Sequence, residues 1–163
     1  MSYKGGTGIA VLVRECGETT VKVFSGEVSF PYIPGYLFVR EAPLIIETLK
    51  GVECDLIVVD AHGLAHPRKS GLATVIGVLM GLPSIGVAKS MLVGELVEEG
   101  GTTYISVRGQ RVGVKLGRYF YSIGNLVDLQ DVVDFARQGY PNCLKEADRL
   151  SKLLYKSEPR KSE

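Results

Sequence analysis

The sequence lacks several features that would narrow its function at once. Its three cysteines, Cys16, Cys54 and Cys143, are odd in number and far apart, so they indicate neither a disulfide framework nor a zinc site, and we expect them to be reduced. It has no signal peptide and no run of about 18 apolar residues, so we expect a soluble cytoplasmic protein. Its net charge of +1 neither favours nor excludes a nucleic-acid partner, because a local basic patch matters more than the total.

The composition that is present is typical of one folded domain. The chain has 163 residues, of which 45% are hydrophobic and 23% are charged, and a chain of this size can bury one core. It shows neither an internal repeat nor a linker. We therefore predict a single domain over residues 1–155, followed by a flexible charged tail over residues 156–163.

The order of apolar patterns predicts an α/β fold. Apolar and alternating runs predict strands over residues 8–13, 20–24, 27–30, 55–60, 84–88, 103–107, 110–116 and 119–123. Helical patterns cover residues 37–49, 72–80, 128–137 and 144–155, and Pro43 predicts a kink or a fresh helix start. Antiparallel strands come first and alternating strands and helices follow, which predicts one domain with a mixed sheet.

Two acids lie where a metal ion could bind. Asp60 ends the apolar run DLIVVD, which is typical of a buried parallel strand, and the carboxyl ends of such strands form functional edges. Glu41 lies in a predicted helix shortly after the rigid PYIPG loop. Two carboxylates that met at this edge would suit Mg²⁺, which prefers oxygen ligands. The alternative is that Asp60 caps a turn and Glu41 is a solvated helix residue.

A compact basic loop, HPRK at residues 66–69, follows the Asp60 strand. We expect it next to the acid site, where Arg68 and Lys69 could grip phosphates, although a solvated basic loop is the alternative. Zinc binding by His62 and His66 is disfavoured, because the glycine and proline in this stretch oppose a helix. We expect His66 to order the loop by hydrogen bonding.

A lysine and a tyrosine complete the set of candidates. Lys89 follows the apolar strand SIGVA and could meet a phosphate or a developing negative charge, or simply extend into water. Tyr32 lies between two prolines, and a rigidly held aromatic ring could stack on a base or wedge into a duplex. The alternative is that Tyr32 packs beneath its own loop.

Three segments resemble the endonuclease V family in their residues and their order. They are PYIPGYLFVREAP at 31–43, DLIVVDAHGLAHPRKSGLATVIGVL at 55–79 and PSIGVAKSMLVG at 83–94. The resemblance implies an RNase H-like mixed sheet flanked by helices. It also implies an endonuclease that uses Mg²⁺, for which Mn²⁺ can substitute, and that cleaves the second phosphodiester bond 3′ to a deaminated purine.

The resemblance also assigns roles to individual residues. Glu41 and Asp60 match the metal-binding catalytic acids, Lys89 matches a catalytic lysine near the scissile phosphate, and Tyr32 matches the wedge that fills the gap left by a flipped base. The further nucleic-acid contacts that it implies are Pro31, Ile33, Gly35, His66, Arg68, Lys69 and Asn125.

The sequence departs from the family pattern at three places. Ser2 and Tyr3 match the end of a pattern like G-x-D-x-S-Y, so we expect the first strand to be truncated and its aspartate missing, which would leave a gap in the hydrogen-bond ladder and exposed apolar side chains. Asn125 replaces the histidine of S-x-G-H, and asparagine cannot act as an acid or base near neutral pH. Ala61 stands where glycine is usual, which is tolerated unless φ is positive.

These observations give two functional hypotheses. The first is a repair endonuclease that acts on hypoxanthine or inosine, with DNA and RNA both open as substrates. The second is a catalytically impaired nucleic-acid-binding relative without a complete metal site. The missing aspartate has another explanation, which is a true chain start that lies upstream and would restore activity. In either case we expect a monomer that binds nucleic acid and no membrane.

Overall fold

The computed structural model describes residues 1–4, 6–16 and 18–157. The strands are β1 (Ser2–Lys4), β2 (Thr7–Cys16), β3 (Glu18–Glu27), β4 (Ile57–Val59), β5 (Ser84–Ala88), β6 (Glu95–Glu99), β7 (Thr102–Val107), β8 (Gln110–Leu116) and β9 (Tyr119–Asn125). The helices are α1 (Leu37–Leu49), α2 (Leu72–Met80), α3 (Leu129–Arg137) and α4 (Asn142–Ser157). Across these described ranges, no helix is both long and apolar enough to cross a membrane.

The chain divides into two compact units. The first consists of Met1–Cys54 together with the chain from Pro141 onward, and the second is Asp55–Tyr140. The single domain over residues 1–155 stays a prediction. Of the predicted flexible tail, Lys156 and Ser157 belong to α4, and residues 158–163 lie outside the described residues.

The first unit contains a three-stranded antiparallel sheet in the order β1-β2-β3. Helices α1 and α4 pack on β2, where Ile9 and Ala10 are each only 2% exposed. The β2–β3 hairpin was predicted, and its pairing extends to Cys16 opposite Glu18, although Gly17 lies outside the described residues. The strand predicted over residues 27–30 is wrong, because β3 ends at Glu27 and the chain continues as a loop.

Helix α1 has the predicted bounds and runs through Pro43 as one helix. Of the two alternatives predicted at that proline, a kink or a fresh helix start, the fresh start is therefore wrong. A proline costs an interior helix one backbone hydrogen bond. The apolar side chains around it are buried, with Ala42 and Leu44 each 5% exposed, so packing offsets the missing bond.

The second unit contains a six-stranded sheet in the order β4-β5-β9-β8-β7-β6, in which only β4 and β5 are parallel. Every residue of β5 is buried, as its continuous apolar run predicted. Helix α2 packs on β5 and β9, and α3 packs on β8 and β9, where Val132 is 0% exposed.

The register of this sheet decides which residues share an end. Because β9 runs antiparallel to β5, Ala88 at the end of β5 lies opposite Phe120 near the start of β9. The turn between β8 and β9 is therefore at the same end as the residues that follow β4 and β5. The turn between β7 and β8 lies at the opposite end, and so does Asn125, which pairs with Ser84.

Strand β6 was not predicted. It is an exposed edge strand with the sequence ELVEE, and three acids in five residues hide its alternation. The two-glycine turn that follows it, with φ of 56° at Gly100 and 75° at Gly101, is the local signal for a hairpin. The next turn, Arg108 and Gly109, also has positive φ at both residues and was predicted.

Helix α3 begins at a capping box that offers a test of local stability. The backbone N–H of Asp131 donates to Asp128 Oδ1 at 2.9 Å, and the N–H of Asp128 donates to Asp131 Oδ2 at 2.8 Å. We expect Asp128→Ala to lower the free energy of unfolding by about 1 kcal/mol, measured by urea denaturation. Asp134→Ala removes the same charge from an exposed position in α3 and is the matched control. Equal losses of unfolding free energy in the two variants would show that the capping hydrogen bonds do not stabilise the protein.

Candidate active site

The carboxyl ends of the two parallel strands bring an acid and a base together. Asp60 follows β4 and Lys89 follows β5. Lys89 Nζ lies 3.4 Å from Asp60 Oδ2, and the two side chains are 46% and 28% exposed. An ion pair this exposed contributes little to stability. Its position at the strand ends therefore makes it a candidate for chemistry, as the sequence predicted.

The oxygen donors at this edge suit a hard divalent cation. The described residues contain no group of three or more His, Cys, Asp or Glu side chains that could enclose a metal ion. Magnesium often binds through only one or two carboxylates and completes its shell with water and substrate phosphates. Asp60 fits such an open site as one ligand. Glu41 lies in α1 of the other unit, and its role as a second acid stays a prediction.

The loop after Asp60 is held against β9 by its glycine. The N–H of Gly63 donates to Ser122 Oγ at 2.8 Å, and the N–H of Leu64 donates to the Ile123 carbonyl at 2.6 Å. A Cβ at Gly63 would collide with the carbonyl oxygen of Ile123, so only glycine allows this approach. Ala61 is not one of the described residues with positive φ, so alanine fits there as expected.

His62 lies in this loop as a neutral ring. Burial lowers its pKa below the usual value near 6.5, and the nearby His66 adds to this effect, while a hydrogen bond to the Ser90 backbone opposes it. Because its pKa is lowered, the ring carries no charge at neutral pH. Its Nδ1 has no hydrogen-bond partner within the described part of the chain.

His66 orders the basic loop, as predicted. It is only 5% exposed. Its Nδ1 accepts a hydrogen bond from the Arg68 N–H at 3.2 Å, and its carbonyl accepts one from the Lys69 N–H at 2.8 Å. Direct contact between this ring and nucleic acid, which the resemblance implied, is not favoured by such burial.

The basic part of the loop is tied to the far end of the sheet. Arg108 Nη2 donates to the Pro67 carbonyl at 3.0 Å, and Lys69 Nζ donates to Gln110 Oε1. Arg108 lies in the turn between β7 and β8, and Gln110 is the first residue of β8. The sequence placed Arg68 and Lys69 beside the acid site, whereas these contacts link their loop to the end of the sheet opposite Asp60.

Asn125 also lies away from Asp60. Its Nδ2 donates to the Leu82 carbonyl at 3.1 Å, and its backbone pairs with Ser84 at the start of β5. The side chain therefore joins β9 to the loop that precedes β5. It does not belong to the Asp60–Lys89 edge, and contact between Asn125 and nucleic acid stays a prediction.

In the first unit, the loop at residues 31–35 presents its aromatic ring to solvent. Tyr32 is 62% exposed and Ile33 is 41% exposed. The loop closes through a hydrogen bond from the Tyr36 N–H to the Ile33 carbonyl at 2.9 Å, with φ of 80° at Gly35. The alternative that Tyr32 packs beneath its own loop is therefore wrong.

The sequence did not single out the turn between β8 and β9, which lies at the same end as Asp60 and Lys89. This turn carries Arg118 and leads into Tyr119. The local signal is an arginine and a tyrosine that directly follow a turn glycine, Gly117, with φ of 57°. Without the register of β9 on β5, nothing in the sequence relates this turn to Asp60.

Comparison with known proteins places this chain in a family. The family model described as endonuclease V matches residues 4–149. The endonuclease V of Sulfolobus acidocaldarius is 58% identical over 97% of this chain and 81% of its own length. The solved endonuclease V of Streptomyces avermitilis has a TM-score of 0.74 at 31% identity, and the match covers 93% of this chain and 82% of that one.

A further structure was solved with nucleic acid. Endonuclease V of Ciona intestinalis, in complex with a 24mer DNA containing an inosine followed by a ribo-adenosine, has a TM-score of 0.75. Its identity is 21%, and the match covers 95% of this chain and 82% of that one. Together these structures confirm the predicted RNase H-like fold. The family match extends well beyond residues 31–94, where the motifs lie, so this chain belongs to the endonuclease V family and is a nuclease that cleaves phosphodiester bonds.

Proposed function

We propose that this chain cleaves the second phosphodiester bond 3′ to a deaminated purine, with Mg²⁺ or Mn²⁺ as cofactor, in the repair of deaminated bases. The observation that carries the proposal is the Asp60–Lys89 pair at the ends of adjacent parallel strands. The complex of the Ciona protein with inosine-containing DNA supports the choice of lesion. The lesion is hypoxanthine in DNA or inosine in RNA. Both fit the proposal, because their phosphate backbones offer the same contacts.

The two side chains at this edge would have separate tasks. Asp60 would hold the cation through its carboxylate, and a bound divalent cation supplies water activation and charge stabilisation at phosphorus. Lys89 Nζ lies 3.4 Å from Asp60 Oδ2. Its ammonium is therefore within reach of a phosphate oxygen held at the same place. There it would stabilise the negative charge that develops during cleavage.

Recognition of the lesion would fall to Tyr32. Its ring is mostly exposed on a loop stiffened by two prolines, so it can enter a duplex at low entropic cost. A deaminated base pairs poorly, and extruding it costs less than extruding a normal base. Tyr32 would fill the space that the base leaves, with Pro31, Ile33 and Gly35 shaping the loop. Glu41 would supply a second metal-binding carboxylate, as its motif implies.

One observation favours the alternative, a relative that binds nucleic acid without cutting it. Within the described ranges, no three potential metal ligands come together. A site with a single acid binds Mg²⁺ weakly unless the substrate adds phosphate oxygens. This alternative predicts binding of hypoxanthine-containing strands with no Mg²⁺-dependent product.

A cleavage assay on a labelled strand with one hypoxanthine separates the two functions. We expect Mg²⁺-dependent cutting at the second phosphodiester 3′ to the lesion, and none in EDTA. Asp60→Asn should lower the rate by at least ~100-fold, because it removes a metal ligand. Asp55→Asn is the matched control, since Asp55 is an exposed acid before β4, and it should cut like the wild type. Binding without any cutting by the wild type would establish the alternative.

Lys89 gives a test that differs from removal of the metal ligand. Lys89→Met keeps the length of the side chain but removes its charge, so we expect kcat to fall by roughly 10- to 100-fold because the developing charge loses a stabilising cation. The Mg²⁺ concentration for half-maximal rate should stay close to that of the wild type. A large rise in that concentration with unchanged kcat would show instead that Lys89 acts only by positioning Asp60.

Tyr32 is tested through selectivity. We expect Tyr32→Ala to weaken discrimination between hypoxanthine-containing and undamaged strands more than it weakens binding of the undamaged strand, because the ring fills a gap that exists only at the flipped base. Tyr32→Phe keeps the ring and should retain discrimination. The two quantities are measured by binding titrations on paired strands. An equal loss of affinity for both strands would contradict the role of Tyr32 as a wedge.

A further inference from the structure

The turn between β8 and β9 carries an arginine, Arg118, that lies over the ring of the following tyrosine. The guanidinium carbon of Arg118 lies 5.0 Å from the centroid of the Tyr119 ring, and Arg118 Nη2 donates to the Tyr119 hydroxyl at 2.9 Å. Tyr119 in turn stacks on Tyr140, with centroids 4.2 Å apart and 24° between the planes. We name these three residues the Arg118 platform. The guanidinium is thus oriented by the Tyr119 ring, which is itself held by its stacking on Tyr140.

The platform lies at the same end of the sheet as Asp60 and Lys89. Phe120 pairs with Ala88, so Tyr119 comes next to the position that Lys89 takes after β5. Strands β4, β5 and β9 are neighbours in that order. Neighbouring strands are about 4.8 Å apart, which puts the start of β9 roughly 10 Å from Asp60 across the sheet. This is the distance scale of one or two nucleotides along a strand.

The charge of Arg118 is not balanced by an acid. Its contacts in the described part of the chain are with the neutral Tyr119, and no carboxylate there forms an ion pair with it. Arg111, which lies on β8, differs in this respect. It also lies over a tyrosine, 4.7 Å from the Tyr104 centroid, but it pairs with Glu99. An exposed, oriented and unbalanced cation attracts an anion, whereas a neutralised one does not.

The chemistry of arginine points to the kind of anion. A guanidinium has five N–H donors in a planar fork that matches a phosphate in two-pronged geometry. The hydrogen bond to the Tyr119 hydroxyl uses only one nitrogen, Nη2. Stacking against a ring fixes the fork in advance, so less conformational entropy is lost on binding. A phosphodiester group beside the cleaved bond meets all of these conditions.

We propose that the Arg118 platform binds a backbone phosphate of the substrate strand next to the scissile bond. Arg118 makes the contact, and Tyr119 and Tyr140 are positioning residues. The inference rests on the proposed function in that it takes nucleic acid as the substrate. It adds a binding residue outside the segments that resemble the family motifs.

The salt dependence of binding tests the contact. Arg118→Gln should reduce the slope of log K against log salt by about 0.7 for a single strand, the value for one lost phosphate contact. Affinity near 100 mM salt should fall by roughly 3- to 10-fold, equally on undamaged and hypoxanthine-containing strands, because phosphates carry no sequence information. Arg111→Gln removes the same charge and the same kind of ring contact, and it should leave the slope unchanged. Binding is measured by fluorescence anisotropy without metal.

Two conservative variants separate contact from positioning. Arg118→Lys keeps the charge without the fork, so the slope should stay as in the wild type while affinity falls. Tyr119→Phe removes the hydroxyl that orients Arg118, so affinity should fall with the slope retained. Identical slopes for the wild type, Arg118→Gln and Arg111→Gln would overturn the proposal, and so would a loss confined to the hypoxanthine strand. The slope on undamaged strands does not depend on cleavage, so a wild type that fails to cut would disprove only the proposed function.

Discussion

The parallel pairing of β4 with β5 is the constraint on which the candidate site depends. Parallel strands need a crossover, here α2, and they end at the same edge of the sheet. That edge is where Asp60 and Lys89 meet at 3.4 Å. The crossover must leave β4 through a loop that lies close on β9, and the absence of a side chain at Gly63 permits this. The position of the acid–base pair thus follows from backbone geometry.

Much of this arrangement could be predicted because it is encoded locally. The runs DLIVVD and SIGVA are apolar throughout, so they indicate buried parallel strands whose ends carry Asp60 and Lys89. The two prolines around Tyr32 indicate a loop in the same direct way. The pairing of β9 with β5, in contrast, is not encoded in the local sequence of β9. Whether Asn125 or Arg118 shares an end with Asp60 depends on the direction of β9 relative to β5, and no pattern within β9 states that direction.

The basic loop shows how tertiary contacts override proximity in sequence. Arg68 and Lys69 follow Asp60 within nine residues, which suggested one cluster. The loop is instead anchored at Ser122 and Ile123 and then at the turn between β7 and β8. A chain of six extended residues can span about 20 Å. Residues that follow Asp60 closely in the sequence can therefore lie far from it in space. Helix α1 follows the same principle, since burial around Pro43 outweighs the local tendency of proline to end a helix.

Arg111 on β8 and Arg118 in the turn that follows β8 show that the same interaction can serve two purposes. Both lie over a tyrosine ring, and a cation–π contact at an exposed site is worth about 0.5–1 kcal/mol. At Arg111 the charge is balanced by Glu99 of β6, so this ion pair links β8 to β6 across the intervening β7. The charge of Arg118 forms no ion pair with an acid among the described residues. This charge therefore adds little to the stability of the sheet. The unbalanced charge lies at the edge that holds Asp60 and Lys89, where a polyanionic strand would have to bind.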